Sequence, residues 1–292
     1  MGCSRGGFYG RRMRLAVLFA LATPVLAVPA SPVIAASAFA PSRFTEEVIG
    51  NGPDVILIPG LTASRNVWRR TVAAVPGYRY HLIQVAGFAG APTRSNARGE
   101  VVAPLADEIA RYIEANHLGR PAIVGHSMGG TLALMLAAHH PEDVGKVMVV
   151  DMLPQPAELL GANSSGIRGF ADTLSDISGT PLGRILIDSA IRVFGNDEID
   201  NLKSDPDVVA RAAHELALAD LTPELPRIKV PMTVVYASPV SALGPAADSV
   251  YHQAYARDPA AHLVRIDGSG HMIMADQPRR FQEELRKFLA GS

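Results

Sequence analysis

An α/β fold, with a mostly parallel sheet flanked by helices and a helical cap inserted into it, is predicted by three features of this chain. Short apolar runs recur at residues 55–58 (VILI), 122–124, 147–150 (VMVV), 232–236 and 263–266. Runs that are apolar at nearly every position, and not at alternate ones, suit parallel strands covered on both faces. Between them lie stretches with helical spacing, 66–75, 100–117, 131–140, 246–257 and 277–289, and strand alternating with helix is the order of a parallel sheet with helical crossovers. The third feature is a break in that alternation: from 153 to about 226 no strand-like run occurs.

Composition is consistent with one large domain. Of 292 residues, 48% are hydrophobic and 19% charged, enough to bury a full core. The 27 Lys and Arg nearly balance the 28 Asp and Glu, which leaves no basic footprint for a nucleic-acid partner. Gly and Pro follow no repeat period, so solenoid and collagen-like chains are excluded.

The first 38 residues read as a cleaved signal peptide. Arg5, Arg11, Arg12 and Arg14 precede an apolar run over 15–27, no acid occurs, and small-residue cleavage sites follow at 28–30 and 36–38. Pro24, Pro29 and Pro32 interrupt the apolar stretch, which disfavours the alternative of a retained spanning helix. The Arg11-Arg12 pair is compatible with twin-arginine export. Removal takes away Cys3, the single cysteine, and leaves five more acidic than basic residues. The mature chain then has no disulfide, no thiol nucleophile and no cysteine metal site, and it does not stay inserted in a membrane. An exported protein, periplasmic or secreted, is expected.

Next along the chain, Asn51-Gly52 between the stretch 44–49 and the VILI run is a hairpin signal, predicting an antiparallel start to the sheet. The core is expected over 43–152 and 227–292, with the cap over 153–226. Helical patterns such as 183–194 and 206–219 belong to that cap. Its Leu159, Leu160, Ile167, Phe170, Leu186, Ile191 and Phe194 face either a pocket or the main domain.

Chemistry concentrates at Gly125-His126-Ser127-Met128-Gly129, a G-x-S-x-G pattern. The pattern alone carries little weight, because Gly2-Cys3-Ser4-Arg5-Gly6 also fits it. Context separates the two: Ser127 follows an apolar run and precedes a helix-forming stretch, whereas nothing strand-like precedes Ser4. Small residues two before and two after the serine let strand and helix approach at a sharp turn. A serine hydroxyl needs a base. Of nine histidines, His271 is the candidate, in the loop 267–271 beyond the last strand, where function collects in such sheets. His126 is adjacent to the nucleophile but points elsewhere at such a turn, so it reads as a supporting residue. Oxyanion donors are expected from the backbone N–H groups of Met128, after the nucleophile, and Leu61, after the first parallel strand.

Together the GHSMGG elbow, the strand order, the insertion after Val150 and the loop 267–271 followed by Asp276-Gln277-Pro278 resemble the α/β-hydrolase superfamily, among its lid-bearing esterase and lipase-like members. The resemblance implies Ser127 as nucleophile, His271 as base and oxyanion donors at Leu61 and Met128. It also sets two departures. Pro59-Gly60 stands where members usually carry His-Gly, and the place after the seventh strand, where the acid is common, reads Ala237-Ser238-Pro239-Val240-Ser241. Some members carry the acid after the sixth strand, which here is Asp151. Asp248 is the second choice. Asp151 is favoured because it directly follows the VMVV strand and emerges at the carboxyl end of the sheet.

The activity expected is hydrolysis of a small carboxylic ester through an acyl-enzyme, with no metal or organic cofactor. Lactone, amide and carbon–carbon bond hydrolysis share the same residues, and a non-catalytic binding module on the same fold is the competing class. If residues 1–38 are a removed signal, intact mass of the exported protein should show a first residue between positions 31 and 41. Full-length chain beginning at Met1 in the cytosol would contradict this.

Overall fold

The computed structural model describes Met1, Gly2 and residues 39–160 and 203–291. The chain divides into two units, Met1–Ser37 and Ala38–Ser292, and the second holds the whole sheet. Residues 3–38 of the expected signal segment, Cys3 among them, and the cap residues Ile167, Phe170, Leu186, Ile191 and Phe194 lie outside the described residues, as do the side chains of Leu159 and Leu160.

Seven strands form one sheet: β1 (Phe44–Ile49), β2 (Asp54–Ile58), β3 (Arg79–Val85), β4 (Ala122–His126), β5 (Lys146–Val150), β6 (Met232–Ser238) and β7 (His262–Asp267). Their order is β1-β3-β2-β4-β5-β6-β7, with β1 antiparallel to β3 and the other pairs parallel. The helices are α1 (Arg69–Ala74), α2 (Val102–Ala115), α3 (Met128–His139), α4 (Pro206–Leu218), α5 (Gly244–Ala254), α6 (Ile273–Asp276) and α7 (Pro278–Ala290). Among the described residues no helix is long and apolar enough to cross a membrane.

The continuous apolar runs have the expected cause. Ile56, Ile58, Ile123, Val147, Val149 and Val234 point to one buried cluster, shared with α2, α3 and α4. Their neighbours Val55, Leu57, Val124, Met148, Val150 and Val235 point to the other, shared with Trp68, Val72, Phe281 and Leu285. Each fully buried aliphatic side chain contributes about 1.5–3 kcal/mol, so both faces of every central strand stabilise the sheet. Pro206–Leu218 sends Val208, Val209, Ala210 and Ala212 into the first of these clusters, and Asp205 caps it by accepting from the N–H groups of Asp207 and Val208.

Two features of the first third correct the sequence expectation. The antiparallel start exists, but β1 pairs with β3 and not with β2 across Asn51-Gly52. Both edges of β2 are already taken, by β3 and β4, so no edge is left for a hairpin. The strand β3 itself has no continuous apolar run, because it carries His81 and Gln84. Both are buried yet fully partnered: His81 bonds the Tyr112 hydroxyl at 2.7 Å and Asp54 at 2.9 Å, and Gln84 takes the Arg65 N–H at 3.0 Å and donates to the Phe88 carbonyl at 3.1 Å. Buried polar groups with partners are compatible with a core strand.

The passage from β4 into α3 positions everything downstream. A Cβ on Gly125 would lie 1.9 Å from the Gly129 carbonyl oxygen, and one on Gly129 would lie 2.3 Å from that of Ile58. Gly125→Ala is therefore expected to destabilise the fold by about 3 kcal/mol or to prevent folding, read as a lowered urea midpoint. A variant as stable as the wild type would show that strand and helix do not need this approach.

Candidate active site

Ser127 sits between β4 and α3 with φ 54° and ψ −123°, in the left-handed half of backbone space that costs a non-glycine residue about 1–3 kcal/mol. Its peptide groups hold it there. The N–H donates to the Val150 carbonyl at 3.0 Å, and the carbonyl accepts from Gly130 at 2.7 Å and Thr131 at 3.2 Å. The side chain stands at the positive end of a twelve-residue helix. The N–H groups of Met128 and Leu61 find no acceptor among the described residues. Met128 is the first residue of α3, where intrahelical partners are lacking, and Leu61 follows β2.

Asp151 follows β5 and also has a positive φ, 50°. Its N–H donates to Val235 at 2.8 Å, continuing the ladder toward β6. The carboxylate is nearly buried and fully employed. Oδ1 accepts from the Ala237 N–H at 2.9 Å and the Tyr251 hydroxyl at 3.0 Å, and Oδ2 meets His271 Nδ1 at 2.8 Å. An ionised carboxylate only accepts, so Nδ1 of His271 carries the proton and Nε2 is left as the acceptor. Tyr251 is kept protonated, and so remains a donor, because burial and the neighbouring Asp151 charge push its pKa well up. Its ring stacks on Tyr236, centroids 4.2 Å apart.

Asp248 goes elsewhere. It accepts from the Tyr236 hydroxyl at 2.6 Å and pairs with the Arg265 guanidinium, which also holds Asp267 at 2.8 Å. The structure thus brings Asp151 and not Asp248 to His271.

The loop carrying His271 is tied on three sides. Gly268 donates to the Ser238 carbonyl at 2.8 Å, Gly270 donates to Asp276 at 2.9 Å, and the Gln277 amide donates to the Gly268 carbonyl at 2.8 Å. A fourth bond comes from His126, whose Nε2–H donates to the His271 carbonyl at 2.9 Å. Burial, and next the His271 ring, push the His126 pKa down to about 3, so it is neutral at working pH. Tyr251 and the Ala237 N–H were not legible as parts of the site, since a tyrosine in a helical pattern and an alanine after a strand carry no motif. Among the described residues one group with metal-ligand chemistry, His140, Glu142 and Asp143, brings ligand atoms within 4.8 Å of one another. It follows the far end of α3, and His140 lies 3.4 Å from Asp107, so it takes no part here.

Comparison with known proteins identifies the family of this fold. Residues 53–217 match the alpha/beta hydrolase fold family. The pimeloyl-[acyl-carrier protein] methyl ester esterase of Aeromonas hydrophila is 28% identical over 261 residues, covering 83% of this chain and 98% of that protein. The enzyme of the same name from Vibrio atlanticus is 27% identical over 208 residues, 65% of this chain and 77% of that one. Among solved structures, a thermophilic esterase from Thermogutta terrifontis superposes with a TM-score of 0.70 at 19% identity, over 85% of this chain and 93% of that one. The enol-lactonase of Burkholderia xenovorans does so with a TM-score of 0.66 at 19% identity, over 85% and 96%. At that identity the structural likeness speaks for the fold.

The two aspartates are separable by experiment. Asp151→Asn keeps the shape but removes the charge that orients and stabilises a protonated imidazole, so turnover of an ester should fall by about 10⁴ with the unfolding midpoint nearly kept. Asp248→Asn should stay close to wild type. The reverse pattern, measured as kcat on one ester, would move the acid to Asp248.

Proposed function

The chain belongs to the α/β-hydrolase fold family, and on that premise we propose that it is an exported serine esterase acting on small carboxylic esters through an acyl-enzyme. The observation that carries the reading is the contact of His271 Nδ1 with Asp151 Oδ2 at 2.8 Å, on the rim where Ser127 is held at a strained elbow. Serine and base alone could be coincidence. A base whose tautomer is fixed by a nearly buried, fully bonded carboxylate is the orientation that acyl transfer needs.

The steps follow from the atoms. Ser127 Oγ attacks the ester carbonyl carbon while His271 Nε2 takes its proton. The carbonyl oxygen gains negative charge and meets the N–H groups of Leu61 and Met128, each such donor being worth about 10² to 10³ in turnover. The carbon–oxygen bond to the alcohol breaks, and His271 returns the proton to that oxygen. Water then attacks the acyl-serine by the same route, giving the acid and free Ser127. Asp151 holds the ring and balances its charge in the protonated stages.

Methyl esters of carboxylic acids are the first substrates to try, because the curated relatives are named for one. Export rests on the arginine-rich start and apolar run of the first 38 residues.

A fluorophosphonate should label the mature protein once, at Ser127, and a panel of methyl and aryl esters, lactones and anilides should show esters turned over fastest. The Ser127→Ala variant should neither label nor hydrolyse. Hydrolysis undiminished in that variant removes the mechanism, and preference for lactones or anilides changes the substrate class. A folded wild type that neither labels nor hydrolyses leaves a binding module.

A further inference from the structure

We propose that His126 is a positioning residue for the base: as the Nε2–H tautomer it clamps the backbone carbonyl of His271 and wedges that loop apart from the strand end carrying Leu61. The inference rests on the reading of Ser127 and His271 as nucleophile and base, and adds to it a residue which that mechanism does not use.

Three observations carry it. The Nε2 contact at 2.9 Å is to a carbonyl oxygen, which can only accept, so the proton is on Nε2 and Nδ1 is a bare lone pair. That Nδ1 is buried and has no hydrogen-bond partner among the described residues, although an unpaired buried polar atom costs about 1–3 kcal/mol. A leucine or methionine would fill the same space without that cost, so the imidazole is present for its other nitrogen. Finally, the ring stands between two parts of the site. On one side the His271 ring is 4.7 Å away, centroid to centroid. On the other, a Cβ at Gly60 would lie 3.0 Å from Nδ1 and 3.1 Å from the Ser127 Cβ.

The charged and titratable groups that act on His126 are His271 and Asp151. When His271 accepts the serine proton, a second protonated ring at this distance would oppose it. Complete burial keeps His126 neutral, so the proton from Ser127 has one destination. The clamp fixes the backbone of His271 while Asp151 fixes its ring, and the two constraints act on different atoms of the same residue.

The test pairs His126→Gln, which can offer an amide N–H to the same carbonyl, with His126→Met, of similar length and without a donor. Steady-state kinetics on one ester, the rate of fluorophosphonate labelling at Ser127 and the urea midpoint are measured for both. His126→Met should lower kcat and the labelling rate by about 10²-fold, the cost of a misplacement of about 1 Å, with KM nearly unchanged. His126→Gln should recover most of both rates. Wild-type kcat in folded His126→Met, or a folded His126→Gln as slow as His126→Met, overturns the inference. If His126→Met does not fold, the Gln variant decides alone: most of the wild-type rate supports the clamp, and a rate lowered about 10²-fold overturns it. In either case Ser127→Ala as the parallel control separates this result from the parent reading, since activity surviving there would sink the mechanism itself.

Discussion

A backbone turned the wrong way at Ser127 is the constraint on which the site depends. Its φ of 54° is held by three peptide hydrogen bonds and by the contact of two glycine-bearing segments that leave no room for a methyl group. The cost, about 1–3 kcal/mol, is offset by what the turn permits. It lets β4 run straight into α3, whose Leu132, Ala133 and Leu136 are completely buried. Strand burial and helix burial on both sides hold the elbow as in a vice, and the hydroxyl is thereby presented at a helix start whose first N–H has no partner among the described residues.

The same strand ends order the acid. In the register of β4 and β5, His126 stands opposite Val150, so Ser127 and Asp151 are each the first residue beyond a paired end. They share a link, because the Ser127 N–H donates to the Val150 carbonyl immediately before Asp151. Both leave the sheet with positive φ. Ser127 and Asp151 are thus placed by one inter-strand register and not by two independent loops. The neighbouring strand contributes too: the N–H of Ala237, near the end of β6, donates to Asp151.

What the sequence made legible depends on which forces leave a local trace. Burial on both faces leaves continuous apolar runs, so β2, β4, β5 and β6 could be read directly, and β7, half-buried at the edge of the sheet, shows a short run broken by Arg265. A sharp strand-to-helix turn demands small residues at fixed offsets, so Ser127 could be read, and Asp151 could be placed because it adjoins a strand end. Lateral order leaves no such trace. Nothing in residues 44–58 shows that both edges of β2 are occupied, and the Asn51-Gly52 signal pointed to the wrong partner for β1. The strand β3 was hidden because the polar groups of His81 and Gln84 are satisfied by partners 27 to 31 and 4 to 19 residues away. Tyr251 lies 100 residues from the carboxylate it serves, and only the folded chain brings them together.

The stretch 204–215 is fastened to the loop after β2 and to the start of α2. Where the chain re-enters the described structure, the Ser204 hydroxyl accepts from the Ala89 N–H at 2.9 Å and donates to the carbonyl of Thr62 at 3.3 Å, and the Asp205 N–H donates to Gly87 at 2.7 Å. Thr62 is the neighbour of the Leu61 donor and is itself held at φ 63°. Further along, the Glu215 carboxylate accepts from the N–H groups of Val101 and Val102 at 2.7 and 2.8 Å, filling the orphan donors at the start of α2. These bonds are made to backbone, so they do not depend on which side chains stand at the positions they meet, and they tie the start of α4 and its last turn to the loops after β2 and β3 and to the start of α2.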